Sequence, residues 1–458
     1  MVNSDFLKDK HFYIVSLGCD KNRVDSEKLM GLLTANGCQL TDDIDEAEII
    51  VVNTCAFLNA ARKEAIETVI ACDARRGAKL EKLVVTGCLP QKFSVELIGQ
   101  LTEADVFLGI EDYDKIFDAL EASYQKEHGQ TGGQIDMVGC GDGVFLRERV
   151  LSTEGHYAYL KIADGCFNRC TYCLIPKIRG KYRSYPMEEL VREAEDLGDL
   201  SELILVAQDV TRYGEDRYGE NKLTELLRRL SALENIGHIR LLYCYPEAIS
   251  DELIAEVRDN PKMLHYFDIP LQHSEDRILK LMNRKGTRRE YLALFGKIRR
   301  EIPDVCFRST FICGFPTETE EEHRALAEFL QEVRLDNCGF FAYSKEPDTA
   351  AAKLKGQVSP AVKNRRVKAL YRIQEGISAE KSAALVGTAV RVVCDGVDYD
   401  RECFVGRTYR NAPDIDGKVY FRSLHAVQGE EYDIIIKKAD SYDLYGCTKE
   451  YEDEETSV

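Results

Sequence analysis

Residues 163–183 read ADGCFNRCTYCLIPKIRGKYR, and the cysteines in the first half, Cys166, Cys170 and Cys173, decide how the chain around them folds. Thiolates are soft ligands that suit zinc or iron-sulfur clusters. Gaps of three and then two residues let one short loop wrap a cubane. A cubane's four irons outnumber three thiols, so one iron is left open to another ligand. Tetrahedral zinc stays open as an alternative and would need a fourth ligand from elsewhere. Disulfides are disfavoured. The N-terminal run MVNSDFLKDKHFYIVSLGC lacks the basic, apolar, small-residue order of a secretory signal, so the expected location is the cytoplasm. There thiols stay reduced, and 16 cysteines point to metal or redox chemistry.

Outward from this loop, six strand candidates recur: YAYLKIADG, ELILVAQDV, HIRLLYC, LHYFDIPL, VCFRSTFICGF and NCGFFAYS. Helical patterns such as MEELVREAEDLGDL and TEEEHRALAEFLQEVR separate them. Strict β/α alternation predicts a central six-repeat partial (β/α) barrel of the TIM type over residues 143–374, with its working face at the strand C-termini. The cysteine loop follows the first of these strands, on that face.

The first 110 residues carry three β-branched runs, HFYIVSLGC, AEIIVVNTC and EKLVVTGC, with helical patterns beginning at Asp25 and Ala60. This is an open α/β sheet, expected over residues 8–125. Each run ends in a cysteine, Cys19, Cys55 and Cys88, spaced 36 and 33 residues apart. Parallel strands would deliver all three to one edge, where such sheets bind ligands. Taken singly each is a small buried residue; together they predict a second three-thiol cluster site.

The polar segment QKEHGQTGGQIDMVGCGDG predicts a linker at residues 125–143. Its VGCGDG neither follows a strand nor opens a helix, which argues against a dinucleotide loop. A helical connector is expected over 359–385. Beyond it AVRVVCDGV, CFVGRTYR, KVYFRS and EYDIIIKKA predict a small β-barrel over 378–445. The charged stretch 446–458 predicts a disordered tail. No apolar run is long enough to span a bilayer. A net charge of −18 favours a basic partner over a phosphate backbone. Within 381–445 nine Lys/Arg face eleven Asp/Glu, so the small barrel has no evident basic face for RNA.

The CxxxCxxC loop, with Tyr172 before its last cysteine, resembles the radical S-adenosylmethionine superfamily. The N-terminal SLGCDKNRVDSE, NTCAF and VTGCLPQ, together with DIPLQH, TFICGFPTETEEE and APDIDG, resemble its methylthiotransferases over nearly the whole chain. The last segment is similar to a TRAM domain. That resemblance implies two 4Fe-4S clusters held by Cys166, Cys170, Cys173 and by Cys19, Cys55, Cys88. It also implies S-adenosylmethionine bound at the first cluster and a sulfur species carried on the N-terminal one. The implied reaction puts a methylthio group on the β-carbon of an aspartate of small-subunit ribosomal protein S-twelve. Modification of transfer-RNA adenosine is the alternative, and a reductase or flavodoxin-type protein the implied electron donor. Asp20, Phe167 and Thr317 depart from the commoner proline, asparagine and glycine of the family.

For the cofactor, Gln208 and Asp209 stand at a strand end, where they could bond its amino acid or ribose or merely hold a turn. Ile312 and Gly314 are placed by the superfamily pattern near its adenine. Tyr172 and Arg308 complete the cofactor set, and Gln272 and His273 are further polar residues of the cavity. The other ten cysteines lack mutual ligand spacing.

Overall fold

Three runs of six residues, β1 (His11–Ser16), β3 (Ile49–Thr54) and β4 (Lys82–Gly87), form the centre of a parallel sheet. The computed structural model describes residues 5–126, 133–141, 143 and 145–455. Short strands β2 (Gln39–Leu40), β5 (Val106–Leu108) and β6 (Ile135–Asp136) complete the order β2-β1-β3-β4-β5-β6. Every residue of β3 and β4 is buried, as continuous apolar runs covered on both faces should be. Phe12 aligns with Ile49 and Ser16 with Asn53, and Thr54 aligns with Gly87. The three strands therefore end almost level.

Helices α1 (Asp20–Ala35), α2 (Asn59–Asp73), α3 (Cys88–Leu97) and α4 (Ile116–Tyr124) follow β1, β3, β4 and β5. The first begins at Asp20, five residues earlier than its apolar pattern suggests, because extended Cys19 serves as its N-cap. The segment read as a linker behaves differently over its described residues. Ile135–Asp136 pairs with β5, Gln134 Nε2 donates to the Leu101 and Ala104 carbonyls, and Asp112 accepts from the Gly139 and Gly141 amides. Residues 127–132 and 142 of that segment lie outside the described residues. Further along, Arg149 and Ser152 bond the fully buried Glu27 of α1.

The chain divides into two units. The first comprises residues 1–152 with 163–169 and 173–185, and adds to the sheet a short ribbon of β8 (Ala163–Asp164) on β9 (Arg183–Ser184) and the helix α5 (Ile175–Ile178).

In the second unit, parallel strands β7 (Tyr157–Lys161), β10 (Leu200–Val206) and β11 (Ile236–Leu241) form one sheet in the order β11-β10-β7. Strands β12 (Tyr266–Asp268), β13 (Cys306–Cys313) and β14 (Asn337–Ala342) form another. A bridge between Ile239 and Met263, and the bond from the Cys244 amide to the Asp268 carbonyl, join β11 to β12. The result is six strands in a partial barrel, each overlapping its expected run, with β10 and β11 beginning two residues earlier. Helix Pro360–Ala383, capped by Ser359, leads to a closed barrel of β15 (Ala389–Asp398), β16 (Cys403–Arg407), β17 (Val419–Arg422), β18 (Glu431–Ala439) and β19 (Leu444–Thr448). Strand β19 and the helix Lys449–Glu455 occupy much of the stretch expected to be a disordered tail. The strand is held by pairing with both β17 and β18, and the helix by Lys437 on Glu452.

Buried ion pairs seat this barrel on the first. Glu202 of β10 meets Arg240 at 2.5 Å and Arg407 of β16 at 2.6 Å. Arg308 of β13 and Tyr266 of β12 meet Asp416, at 3.4 and 2.6 Å.

Candidate active site

Within the first unit, the loops after β1, β3 and β4 carry Cys19, Cys55 and Cys88. Two glycines allow their close approach. Gly18 (φ +95°) lies where a Cβ would come within 2.8 Å of Cys55 Cβ, and a Cβ on Gly87 (φ +93°) would strike Asn53 and Thr54. Cys19 caps α1 and Cys88 opens α3, so two of the thiols stand at helix N-termini. Asn22 ties the loops together. Its Nδ2 donates to the Leu17 and Thr54 carbonyls at 3.0 Å each, and its Oδ1 lies 3.9 Å from Cys88 Sγ. Burial pushes the Cys88 thiol up to about 11, with the Arg179 guanidinium opposing and the Cys19 and Cys55 thiols adding to the rise. Burial likewise raises Cys55, against a bond from the Phe57 amide and with Cys19 adding. The three thiols are thus electrostatic neighbours, as the strand ends predict.

The second cysteine loop is half-buried. The Asn168 amide donates to Cys166 Sγ at 3.3 Å and the Ile175 amide to Cys173 Sγ at 3.4 Å. With Phe57 on Cys55, this is the same pattern three times: a thiol accepting from the amide two residues on. Such bonds stabilise sulfur as thiolate and tune a bound metal. In the second unit, Cys170 Sγ lies 3.7 Å from the Tyr245 hydroxyl, and Tyr172 packs against the cluster of Ile278, Met282, Phe315, Tyr343 and Ala351, which Ile312 also joins.

The barrel residues fall at two levels. Gln208 follows β10, and its Oε1 is buried without a hydrogen-bond partner among the described residues. Asp209 is fully buried and caps the following turn through the Thr211 amide. Along β13, Arg308, Thr310 and Ile312 share one face, while Phe311 on the other packs edge-on against Phe329. Arg308 is therefore about 13 Å below Ile312 at the rise of a strand, and its guanidinium answers Asp268 and Asp416. A Cβ on Gly314 (φ +71°) would strike Lys363, and the Gly314 amide donates to Glu318. His273 is fully buried, with Nδ1 accepting from the Glu275 amide and Nε2 3.8 Å from Glu318. Tyr243, Gln272 and Thr317, all beyond strand C-termini, hold left-handed backbone at φ +62°, +73° and +72°. Strain of this kind collects at working faces.

Residues 160–330 match the Radical SAM superfamily, residues 11–109 the Uncharacterized protein family UPF0004, and residues 386–448 the TRAM domain. A protein of Lachnoclostridium phytofermentans named ribosomal protein uS12 methylthiotransferase RimO is 44% identical over 441 residues, covering 95% of this chain and 99% of that one. The chain belongs to the RimO family. Another RimO, from Acetivibrio thermocellus, is 42% identical over 94% of this chain and 97% of its own. Among solved structures, the radical S-adenosylmethionine methyltransferase TsrM of Kitasatospora setae, with cobalamin and a [4Fe-4S] cluster bound, shares the fold at a TM-score of 0.54 and 14% identity, covering 75% of this chain and 77% of that one. As a RimO-family protein the chain is a radical S-adenosylmethionine methylthiotransferase, with S-adenosylmethionine and [4Fe-4S] clusters as cofactors.

The donor set fits. Among the described residues no three His, Cys, Asp or Glu side chains converge on the point a single metal ion would occupy. A cubane asks instead for three separate thiols, one per iron, with amides directed at the sulfurs. Sequence reasoning missed Asn22, Gly18, Gly87 and Arg179. The first three had a signal, since glycine precedes two of the three strand-end cysteines and Asn22 lies three residues past the first.

Proposed function

We propose that this chain replaces hydrogen at the β-carbon of an aspartate of ribosomal protein uS12 with a methylthio group. The observation that carries the reading is identity of 44% to a uS12 methylthiotransferase over 95% of the chain. All six cysteines lie inside the matched family models, Cys19, Cys55 and Cys88 within 11–109 and Cys166, Cys170 and Cys173 within 160–330. The relatives act on a ribosomal protein, which favours uS12 over transfer-RNA adenosine, and work on such a substrate puts the protein in the cytoplasm.

Cys166, Cys170 and Cys173 would hold the cluster that binds S-adenosylmethionine, and Cys19, Cys55 and Cys88 the one that carries a sulfur species. When bound, these groups supply one-electron chemistry and the sulfur to be inserted. The chain's own residues bind and orient. The unpartnered Gln208 Oε1 offers an acceptor to the cofactor's amino acid or ribose, with Asp209 fixing the turn beside it. Gly314 allows backbone to approach the adenine, and Ile312 and Tyr172 bring apolar surface that excludes water. Arg308, committed to Asp268 and Asp416, serves the seating of the C-terminal barrel. A reductase or flavodoxin-type protein would supply electrons.

The test is anaerobic reconstitution with recombinant uS12, S-adenosylmethionine and a reductant. The expected product is uS12 carrying a methylthio group in place of hydrogen, with release of 5′-deoxyadenosine, and both should vanish in Cys166→Ala. Methylthiolated transfer RNA with unmodified uS12 would defeat the reading.

A further inference from the structure

Arg179 was singled out by no motif, yet its side chain is 2% exposed and spans parts of the first unit that are remote in sequence. Nη1 donates to both oxygens of Asp164 at 3.1 and 2.9 Å and to Asp25 Oδ2 at 3.3 Å. Nη2 donates to Asn22 Oδ1 at 2.5 Å, to Asp25 at 3.2 Å and to Cys88 Sγ at 3.8 Å. Asp164 stands two residues before Cys166; Asn22 and Asp25 lie on the helix that Cys19 caps. The frame around Arg179 is equally constrained. The Gly180 carbonyl accepts from the Cys166 amide at 3.3 Å, and a Cβ on Gly165 would collide with Lys181. The β8–β9 ribbon closes this return, delivering the guanidinium against Cys88.

We propose that Arg179 is a positioning residue for the N-terminal cluster. It fixes the Cys88 sulfur and supplies a permanent positive charge beside it, while its grip on Asp164 ties that sulfur to the Cys166 loop. The proposal rests on the reading that Cys19, Cys55 and Cys88 hold a cluster. An arginine suits the task because it stays protonated and its planar fork serves carboxylate, amide and sulfur together. Hydrogen bonds and nearby charge set the potential of a cluster, and partners of this kind orient its ligands. Asp25 and Asp164 keep the buried guanidinium compensated and aimed, since a buried charge without partners would be strongly unfavourable.

The experiment uses the full chain with Cys166, Cys170 and Cys173 changed to alanine, so that only the N-terminal cluster can form. Iron content, midpoint potential by electron paramagnetic resonance, and the rate of iron loss to a chelator are compared for Arg179, Arg179→Lys and Arg179→Gln. Arg179→Gln should shift the potential negative and lose iron about tenfold faster. Arg179→Lys should keep most of the potential, because the charge remains, yet lose iron faster than the parent because the fork is gone. A purely structural role would not move the potential with charge. If both variants match the parent in potential and iron loss, the proposal is overturned while the cluster reading stands. If the parent binds no iron at this site, the cluster reading itself fails and takes the proposal with it. Should Arg179→Gln not fold, as judged by circular dichroism of the iron-free protein, iron loss from Arg179→Lys decides: faster supports the proposal, unchanged overturns it.

Discussion

Thr317 shows how a single residue bears the demands of the barrel face. It holds φ +72°, its amide donates to the Gly356 carbonyl, and Arg277 bonds both its hydroxyl and its carbonyl. A β-branched residue there is strained, whereas glycine adopts the geometry freely, which accounts for the family's usual glycine. Thr317→Gly should therefore gain about 0.5–1 kcal/mol, the relief of strain exceeding the entropy of a freer unfolded chain. Urea unfolding of the two proteins measures it. Beside this turn, His273 and Glu318 titrate in opposition. Burial pushes His273 down to about 3, so the unfolded chain takes up a proton below pH 6.5 that the folded one refuses, and stability falls with acid. Burial pushes Glu318 up to about 7 against Arg366 and two amides, so the folded chain keeps a proton the unfolded one sheds between 7 and 4.5, and stability rises with acid. The two slopes cancel between pH 6.5 and 4.5. Glu318→Gln removes one of them. Its stability should fall relative to the parent by about 1.4 kcal/mol for each pH unit from about 7 down to 4.5 and no further below that, read from paired urea titrations.

Elements differed in how clearly the sequence announced them. The six barrel strands and the three cysteine-ended strands were legible because buried parallel strands are continuous β-branched runs. Strand β19 was not. Its LYGCT carries a glycine where a Cβ would strike the Ile435 carbonyl, so what reads locally as a turn is a close approach of two strands. Strand β6 is two residues in a polar stretch and has no pattern to find. The strand-end cysteines were legible from spacing, but Arg179 was not, because its partners come from three separate segments: the helix of Asn22 and Asp25, Cys88, and Asp164. The same limit hid the seating of the C-terminal barrel. Glu202 is buried between Arg240 and Arg407, which hold its carboxyl down near 2 against the cost of burial. Its contribution is thus present above pH 4.5 and lost as pH falls toward 2. Glu202→Gln would leave two buried guanidinium groups short of a counter-charge, and should destabilise the unit by about 3–5 kcal/mol in urea unfolding at neutral pH.

At the scale of the whole molecule, charge separates the candidate partners. A chain of net charge −18 repels phosphate backbones and attracts cations. Its C-terminal barrel, with nine basic and eleven acidic residues in 381–445, does not reverse that sign. Among the described residues no helix is long and apolar enough to cross a membrane. A basic ribosomal protein would be drawn in by the long-range field, which acts on encounter more than on the docked complex. Salt shortens that field from a Debye length of about 30 Å at 10 mM to about 8 Å at 150 mM. The association rate with uS12, measured by stopped-flow fluorescence, should consequently drop about tenfold or more over that range, with dissociation nearly unchanged. Transfer RNA should behave in the opposite sense, since salt screens a repulsion and its encounter would quicken. A uS12 association rate indifferent to salt would mean that recognition rests on shape and short-range contacts, and that the acidity of the chain serves only solubility.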